Sequence, residues 1–165
     1  MKKHIYLCLT LLSISISQAQ NNLGDIDLRT TEIKPAKVDK LDNESYLIDF
    51  GKAFFGTVQL SSTIGQADSL VVHLGEKLNK DNRIDRNPEA TIRYQKVVLA
   101  NLPANQIIKL KLTPDKRNST GAAILLPDSI GTVMPFRYCE IENLKIPFQK
   151  LSVHQSALHN KFNDN

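Results

Sequence analysis

The chain has 165 residues, and its 21 basic and 17 acidic side chains give a formal net charge of +4. Two of the lysines, Lys2 and Lys3, lie in an apolar leader, which leaves 21 − 2 = 19 basic residues against 17 acidic ones in the rest of the chain. This nearly neutral remainder has no basic run interleaved with aromatic residues, so the composition argues against a nucleic-acid-binding surface.

The first 19 residues have the pattern of an export signal. Two lysines precede an apolar run over Ile5–Ile16, which ends in the small-residue pattern Ser17–Gln18–Ala19. The run is too short for a stable transmembrane anchor. We therefore expect cleavage after Ala19, no membrane anchor after cleavage, and a periplasmic or secreted location.

Cysteine usage excludes several classes of protein. Cys8 lies in the leader, so only Cys139 is present in the remainder. One cysteine cannot form an intramolecular disulfide, a paired-cysteine redox motif or a cysteine–histidine metal cluster. Cys139 lies in an apolar strand pattern, where a buried thiol acts as a small hydrophobic residue. We expect no metal site, and no cofactor is implied.

Alternating apolar and polar residues predict β-strands along most of the remainder. The pattern is clearest in Ser45–Ser62, where Tyr46 and Ile48 share one face of an extended segment. A short connection bracketed by Gly51 and Gly56 follows. We therefore expect a strand pair with an aromatic corner over this stretch.

Further strands follow, separated by turn residues, and no segment has a sustained 3.6-residue apolar period. This pattern predicts an all-β fold, an antiparallel two-sheet β-sandwich or jelly roll of about seven or eight strands. The remaining strand candidates are Ser69–Glu76, Thr91–Leu99, Gln106–Leu112, Ala122–Leu126, Val133–Glu142 and Phe148–Leu158.

The same patterns divide the chain into four parts. Residues 1–19 are the leader, and residues 20–44 are a polar lead-in with one short extended piece at Glu32–Lys34. Residues 45–158 form the β-sandwich domain. Residues 159–165 are a polar tail or the start of a linker to a missing domain.

Glu140 and Glu142 are the acidic pair that comes nearest to a glycosidase arrangement. They lie two residues apart on one strand, so they share a face and lie about 7 Å apart. That distance falls within the range of about 6.5–9.5 Å for inverting glycosidases. Carboxylates on one strand face point in parallel and do not flank a bond, however. We therefore expect solvated strand-end charges and no catalytic residue.

His73 and the polar interval after it are the other candidates for chemistry. His73 has no aspartate or second histidine beside it in sequence, so we expect an exposed or locally hydrogen-bonded side chain. In Lys77–Ala90, Asp81 and Asp85 resemble the start of a calcium loop, but the turn glycine and the twelfth-position glutamate are absent. We expect a solvated loop suited to ligand or interdomain contact.

Three blocks in order carry a family resemblance. They are Asp49–Phe50–Gly51 followed by Gly56, HLGEKL within Val72–Leu78, and MPFRYCEI over Met134–Ile141. With these blocks, Tyr46–Glu142 resembles the β-sandwich region ahead of the catalytic domain in bacterial α-L-rhamnosidases and their relatives, glycoside hydrolase family seventy-eight.

The resemblance implies an incomplete enzyme. In that family the acidic catalytic residues lie in a large (α/α) barrel that follows the sandwich, so no catalytic residue is carried over to this chain. The sequence reaches Asn165 before such helices begin, and we expect a truncated or split gene product. The implied partners are a catalytic (α/α) barrel domain or a rhamnose-containing glycan.

The residues of the blocks and of the polar loop are given roles on this basis. Arg137 either anchors an acidic partner or points to solvent. Gly51 and Gly56 fit turns that a side chain would block. We expect carbohydrate or interdomain contact from Arg137, Tyr138, Asp81 and Asp85. The expected structural residues are Asp49, Phe50, Gly51, Gly56, Gly75, Glu76 and Phe136.

These observations favour a non-catalytic accessory module of a secreted α-L-rhamnosidase-like protein, which by itself hydrolyses nothing. The alternative is a free-standing carbohydrate-binding or adhesion module. A purely structural exported protein is a third possibility.

Overall fold

The structure, a computed structural model, describes residues 28–116 and 126–160. The predicted leader and most of the predicted strand at 122–126 lie outside the described residues. Within the described part, no helix is long and apolar enough to cross a bilayer. The strands are β1 (Leu28–Ile33), β2 (Lys37–Lys40), β3 (Tyr46–Ser62), β4 (Leu70–Gly75), β5 (Tyr94–Leu99), β6 (Ile107–Lys109), β7 (Met134–Glu142) and β8 (Leu151–Asn160), and a single 3₁₀ turn at Phe148–Lys150 precedes β8.

The eight strands form one antiparallel sheet. Its strand order is β1-β8-β3-β7-β4-β5, and β2 and β6 each pair with β3 beside this path. The arrangement confirms the all-β, antiparallel class and the predicted number of strands. The long strand β3 holds the sheet together. Its first part pairs with β2 and β7, and its last part pairs with β6 and β8.

The predicted strand pair at the start of the domain is instead one strand, β3, of 17 residues. Its pairing with β7 shifts from Asp49↔Tyr138 to Phe54↔Phe136, so five residue steps on β3 (54 − 49) oppose two on β7 (138 − 136). The extra residues form a bulge in a strand that continues, and they do not reverse the chain. Gly51, at φ +83°, supplies the left-handed backbone that this bulge requires.

Gln155 of β8 and Gly56 of β3 stabilise the bulged region where these two strands meet. The Gln155 side chain is fully buried, and its Nε2 donates hydrogen bonds to the carbonyls of Phe54 at 3.1 Å and Phe136 at 3.2 Å. A Cβ on Gly56 would lie 2.3 Å from the Ser156 carbonyl oxygen, so only glycine lets β8 approach this closely.

One apolar core cluster contains residues of both halves of the sheet. Ile48 and Leu60 of β3 belong to this cluster. The ring of Phe50 packs edge-to-face on the ring of Phe136, with the centroids 6.0 Å apart. Cys139 is fully buried in the same cluster. Burial raises the pKa of its thiol, so Cys139 stays protonated and acts as a small hydrophobic residue.

Two strands lie within the predicted polar lead-in. β1 pairs with β8 from Leu28↔Asn160 onward, and β2 pairs with β3. Most of their side chains are exposed, so neither strand has the alternating apolar pattern that predicts a strand from sequence. β8 ends at Asn160, so it includes the first two residues, 159 and 160, of the predicted tail.

Candidate functional site

The loop at residues 76–93 joins β4 to β5 and packs onto the outer face of the sheet; we call it the covering loop. Its Ile84 is fully buried, and the Cγ2 of Ile84 would lie 2.5 Å from a Cβ placed on Gly75. A bridge pairs Leu78 with Ile84, and the Asp85 N–H donates to the Lys77 carbonyl at 2.9 Å. The interval predicted as a solvated loop therefore has its own buried anchor.

Glu140 lies beneath the covering loop and is fully buried. Its Oε1 accepts hydrogen bonds from Arg83 Nη1 at 2.7 Å and Arg86 Nη2 at 2.9 Å, and its Oε2 accepts one from the Ile84 N–H at 3.0 Å. The expectation of a solvated charge is wrong for Glu140, because the loop returns across the outer face of β7. This carboxylate is instead the centre of a buried ionic network.

Glu142 and His73 extend this network toward the edge of the loop. Glu142 Oε1 accepts a hydrogen bond from Arg86 Nη2 at 3.0 Å, and its Oε2 lies 3.2 Å from His73 Nε2. The other ring nitrogen of His73 shares a hydrogen bond with the Tyr94 hydroxyl at 2.8 Å. His73 is only 4% exposed. His73, expected to be exposed or locally hydrogen-bonded, is therefore buried, and its partners are distant along the chain.

Burial shapes the titration of these side chains. Desolvation, together with the Arg86 cation, lowers the pKa of His73 below its usual 6.5, so the imidazole is neutral at pH 7. Desolvation likewise raises the pKa of Tyr94. Burial alone would raise the pKa of Glu142, but its hydrogen bond to His73 and the Arg86 cation hold that pKa below its usual value.

Asp49 and Arg137 form a second ion pair on the outer face. Arg137 Nε donates to Asp49 Oδ1 at 2.8 Å, and Arg137 Nη2 donates to Oδ2 at 2.7 Å. The hydrogen bond from Arg137 lowers the pKa of Asp49, and the Gly51 N–H also donates to Oδ1 at 2.7 Å. The guanidinium carbon of Arg137 lies 4.9 Å from the ring centroid of Tyr138. The acidic partner of Arg137 is thus within its own chain.

A cavity of about 350 Å³ opens beside this ion pair; we call it the Tyr138 cavity. Its walls come from β2, β3, β7 and the covering loop, which bring together side chains that are remote in sequence. Among the four residues predicted to make carbohydrate or interdomain contacts, Tyr138 lines the cavity and Arg137 holds its neighbour Asp49. Its lining includes Lys37, Asp39, Leu47, Asp49, Asn82 and Tyr138.

The other predicted contact residues, Asp81 and Asp85, belong to local turns of the covering loop. The Asp81 N–H donates to a side-chain oxygen of its own turn at 2.9 Å, and Asp85 Oδ1 accepts from the Asn87 N–H at 3.0 Å. The two ends of the loop are joined by a hydrogen bond, which the Arg93 N–H donates to Glu76 Oε1 at 2.8 Å. Across residues 28–116 and 126–160, no group of three or more His, Cys, Asp or Glu side chains is placed to hold a metal ion.

Arg83 and Arg86 are the site residues that the sequence reasoning missed. In sequence they are two arginines in a polar interval, where side chains are usually solvated. The available signal was the opposite charge of Glu140 and Glu142 on a strand with a buried alternate face. Only the tertiary fold pairs the two sets, because 54 to 59 residues separate the partners.

Two solved structures share the fold of this chain. The α-L-rhamnosidase from Dictyoglumus thermophilum matches with a TM-score of 0.51 and 18% identity, over 81% of this chain and 13% of that one. The α-L-rhamnosidase from Streptomyces avermitilis, solved with L-rhamnose, matches with a TM-score of 0.50 and 18% identity, over 81% of this chain and 11% of that one. No family model and no curated protein matches the sequence. The chain thus spans only a small fraction of these enzymes, and it has the fold of one part of an α-L-rhamnosidase.

Proposed function

We propose that this chain is a non-catalytic β-sandwich accessory module of a secreted α-L-rhamnosidase-like glycoside hydrolase. In this role it supports a catalytic (α/α) barrel provided by other residues. The observation that carries the proposal is the state of Glu140, whose carboxylate is fully buried and holds the covering loop through two arginines.

The geometry of Glu140 and Glu142 argues against their acting as a glycosidase pair. Such a pair must face a glycosidic bond, one member as a protonated acid and the other as a base or nucleophile. Here Arg86 Nη2 lies 2.9 Å from Glu140 Oε1 and 3.0 Å from Glu142 Oε1. The guanidinium therefore occupies the space between the two carboxylates that water and substrate would need.

The fold comparison supports the accessory role in a second way. The matching regions are 13% and 11% of the two rhamnosidases, so most of each enzyme lies outside the part that this chain resembles. The export signal predicted at residues 1–19 supports the secreted location.

A free-standing carbohydrate-binding or adhesion module is the alternative. The Tyr138 cavity favours it, because that cavity combines an aromatic side chain with polar side chains on an outer sheet face. This alternative requires no barrel partner.

Co-expression with the protein encoded by the adjoining reading frame tests the accessory role. The proposal predicts an (α/α) barrel protein there, which elutes with this chain in size-exclusion chromatography and melts at a higher temperature in its presence. An adjoining frame without a barrel, or a barrel that elutes separately with an unchanged melting temperature, contradicts the accessory role and leaves the binding module.

A further inference from the structure

A serine, a histidine and a glutamate lie in line on the outer face of the sheet, in the half formed by β1, β8 and the end of β3. Ser152 and His154 of β8 alternate with the buried Val153, so both side chains point away from the core. Ser152 Oγ lies 3.2 Å from His154 Nε2. The other ring nitrogen, Nδ1, lies 3.4 Å from Glu32 Oε1 of β1. The three groups therefore stand in the order hydroxyl, imidazole, carboxylate.

This order is the one that activates a serine as a nucleophile. A carboxylate beside Nδ1 favours the tautomer that carries its proton on Nδ1, so Nε2 is left to accept the proton of the Ser152 hydroxyl. Such a set is recognised by geometry and roles, whatever the order of its members in the sequence, and its hydrogen bonds are often long before substrate binds. Ser152 is thus placed as nucleophile and His154 as base. Glu32 is a positioning residue, which acts through His154.

Strands on both sides of β8 hold the histidine in place. Glu32 pairs with Ser156, two residues beyond His154, so its side chain is a diagonal neighbour of the imidazole on the same face. Gln59 of β3 lies directly opposite His154. The side chain of His154 is 28% exposed, so a molecule from solvent can reach it. The three groups lie on paired strands, which position side chains more precisely than loops do.

A groove of about 680 Å³ begins at Ser152; we call it the Ser152 groove. Its volume falls within the range of about 300–1,000 Å³ for ligand pockets. Ser61, which pairs with Ser152, and Lys150 also line it, and their hydroxyl and ammonium groups are hydrogen-bond donors of the kind that stabilise an oxyanion. Ile107 in the same groove is 74% exposed and offers apolar surface to an acyl chain. The groove therefore has room and donors for an ester beside the nucleophile.

We propose that Ser152, His154 and Glu32 form a hydrolytic site for small carboxylic esters. Ser152 Oγ attacks the carbonyl carbon while its proton moves to His154 Nε2. The bond from the carbonyl carbon to the alcohol oxygen then breaks, and the departing alcohol takes the proton from Nε2. Water next attacks the acyl group on Ser152 and gives a proton to Nε2. The bond to Oγ breaks, the carboxylic acid leaves, and the proton returns from Nε2 to Oγ.

This inference goes beyond the accessory role, which is non-catalytic toward glycosidic bonds. An ester site on β8 requires no barrel, and the accessory role requires no ester hydrolysis. The co-expression experiment and the tests below therefore have independent outcomes.

Labelling with a fluorophosphonate, which phosphonylates activated serines, tests the nucleophile. The labelled chain is digested and mapped by mass spectrometry. We expect one adduct per chain, on Ser152, and labelling slower by about tenfold or more in His154→Gln, because the base is lost. Ser69→Ala is the matched control, because Ser69 is exposed and lies outside the Ser152 groove. This control should be labelled at Ser152 as fast as the unmodified chain.

Hydrolysis of p-nitrophenyl acetate measures turnover. The unmodified chain should release many nitrophenol molecules per chain, and the rate above buffer should fall about tenfold or more in Ser152→Ala. Glu32→Gln should lower kcat with KM unchanged, and Glu32→Asp, which keeps the carboxylate, should recover part of the loss. Circular dichroism checks that each variant is folded. The side chains of Glu32 and His154 are 54% and 28% exposed, so we expect these substitutions to leave the fold intact.

Three results would overturn the inference. The first is the absence of an adduct on Ser152, or an adduct that forms as fast in a folded His154→Gln variant. The second is release of no more than one nitrophenol per chain, which would show acylation without hydrolysis. The third is a rate of turnover that is unchanged in a folded Ser152→Ala variant.

Discussion

The guanidinium of Arg83 donates to the carboxylate of Glu140 at 2.7 Å across 57 residues of sequence. This contact joins the covering loop to the central part of β7. Because Glu140 is fully buried, the loop and the strand depend on each other: the carboxylate needs the arginines as partners, and the arginines need the carboxylate to hold the loop in place.

Glu140→Gln should destabilise the chain by about 2–3 kcal/mol. The substitution removes the fully buried counter-charge of Arg83 and Arg86, a loss that costs about 3–5 kcal/mol for fully buried pairs. Arg83 keeps Asp42 at 2.7 Å and Arg86 keeps Glu142 at 3.0 Å. The smaller value is expected here because the side chains of Arg83 and Arg86 are each 33% exposed. Urea denaturation of the variant and the unmodified chain measures the difference.

The matched control for that variant is Glu44→Gln. The Glu44–Lys145 pair lies on the surface, with side chains 44% and 42% exposed, so its loss should change stability by less than about 0.5 kcal/mol. Equal effects of the two substitutions would show that Glu140 does not hold a buried network.

Gly75→Ala should destabilise by about 1–3 kcal/mol through overpacking. A Cβ at this position would lie 2.5 Å from Ile84 Cγ2, whereas Ile84 Cβ is 3.8 Å away. In an Ile84→Ala background the clashing methyl is absent, so the same substitution should cost much less. A double-mutant cycle by urea denaturation measures this coupling; additive effects of the two substitutions would contradict the contact.

The stability of the chain should fall as pH decreases below about 6.5. Burial lowers the pKa of folded His73 below its usual 6.5, so protons bind the unfolded chain more readily in this window. The contribution of neutral His73 to the free energy of unfolding is therefore complete above pH 6.5, and it is lost as the pH falls through the pKa of His73 in the folded chain. His73→Gln should flatten the dependence of unfolding free energy on pH between 6.5 and the onset of carboxylate titration. Parallel curves for the two proteins would contradict this assignment.

Ala90→Gly should stabilise the chain by about 0.5–1 kcal/mol. Ala90 has φ +56°, a left-handed conformation that costs an L-residue about 1–2 kcal/mol, and the flexibility of glycine in the unfolded chain offsets part of the gain. Ala100→Gly is the control, because Ala100 is exposed and is not among the residues with positive φ. It should leave stability unchanged or lower it. A rise in melting temperature for Ala90→Gly alone would support this account, and an equal response of both variants would contradict it.

Local patterns in the sequence predicted most of the strands but not their connections. The inward residues of β4 alternate, and those of β3 and β7 alternate on either side of the bulge, where β7 steps from Phe136 to Cys139. β1 and β2 have mostly exposed side chains and are held by pairing with β8 and β3, so their local sequence carries little strand signal. The bulge after Asp49 was mistaken for a corner, because two glycines and two phenylalanines also suit a turn.

The candidate site was harder to predict, for a related reason. His73 and Glu140 occupy the outward positions of their strands, and outward positions are usually solvated. Here the covering loop packs over them and places Ile84 against Gly75. The two side chains are therefore buried by the loop, and their burial cannot be predicted from the sequence of either strand.

The most direct test of the non-catalytic role is hydrolysis of p-nitrophenyl α-L-rhamnoside by the purified chain, with Glu140→Gln assayed in parallel. The folded state of each protein is checked by circular dichroism. The account predicts that both proteins release nitrophenol no faster than buffer does. Hydrolysis by the unmodified chain that disappears in a folded Glu140→Gln variant would contradict the structural role of Glu140 and the accessory function built on it.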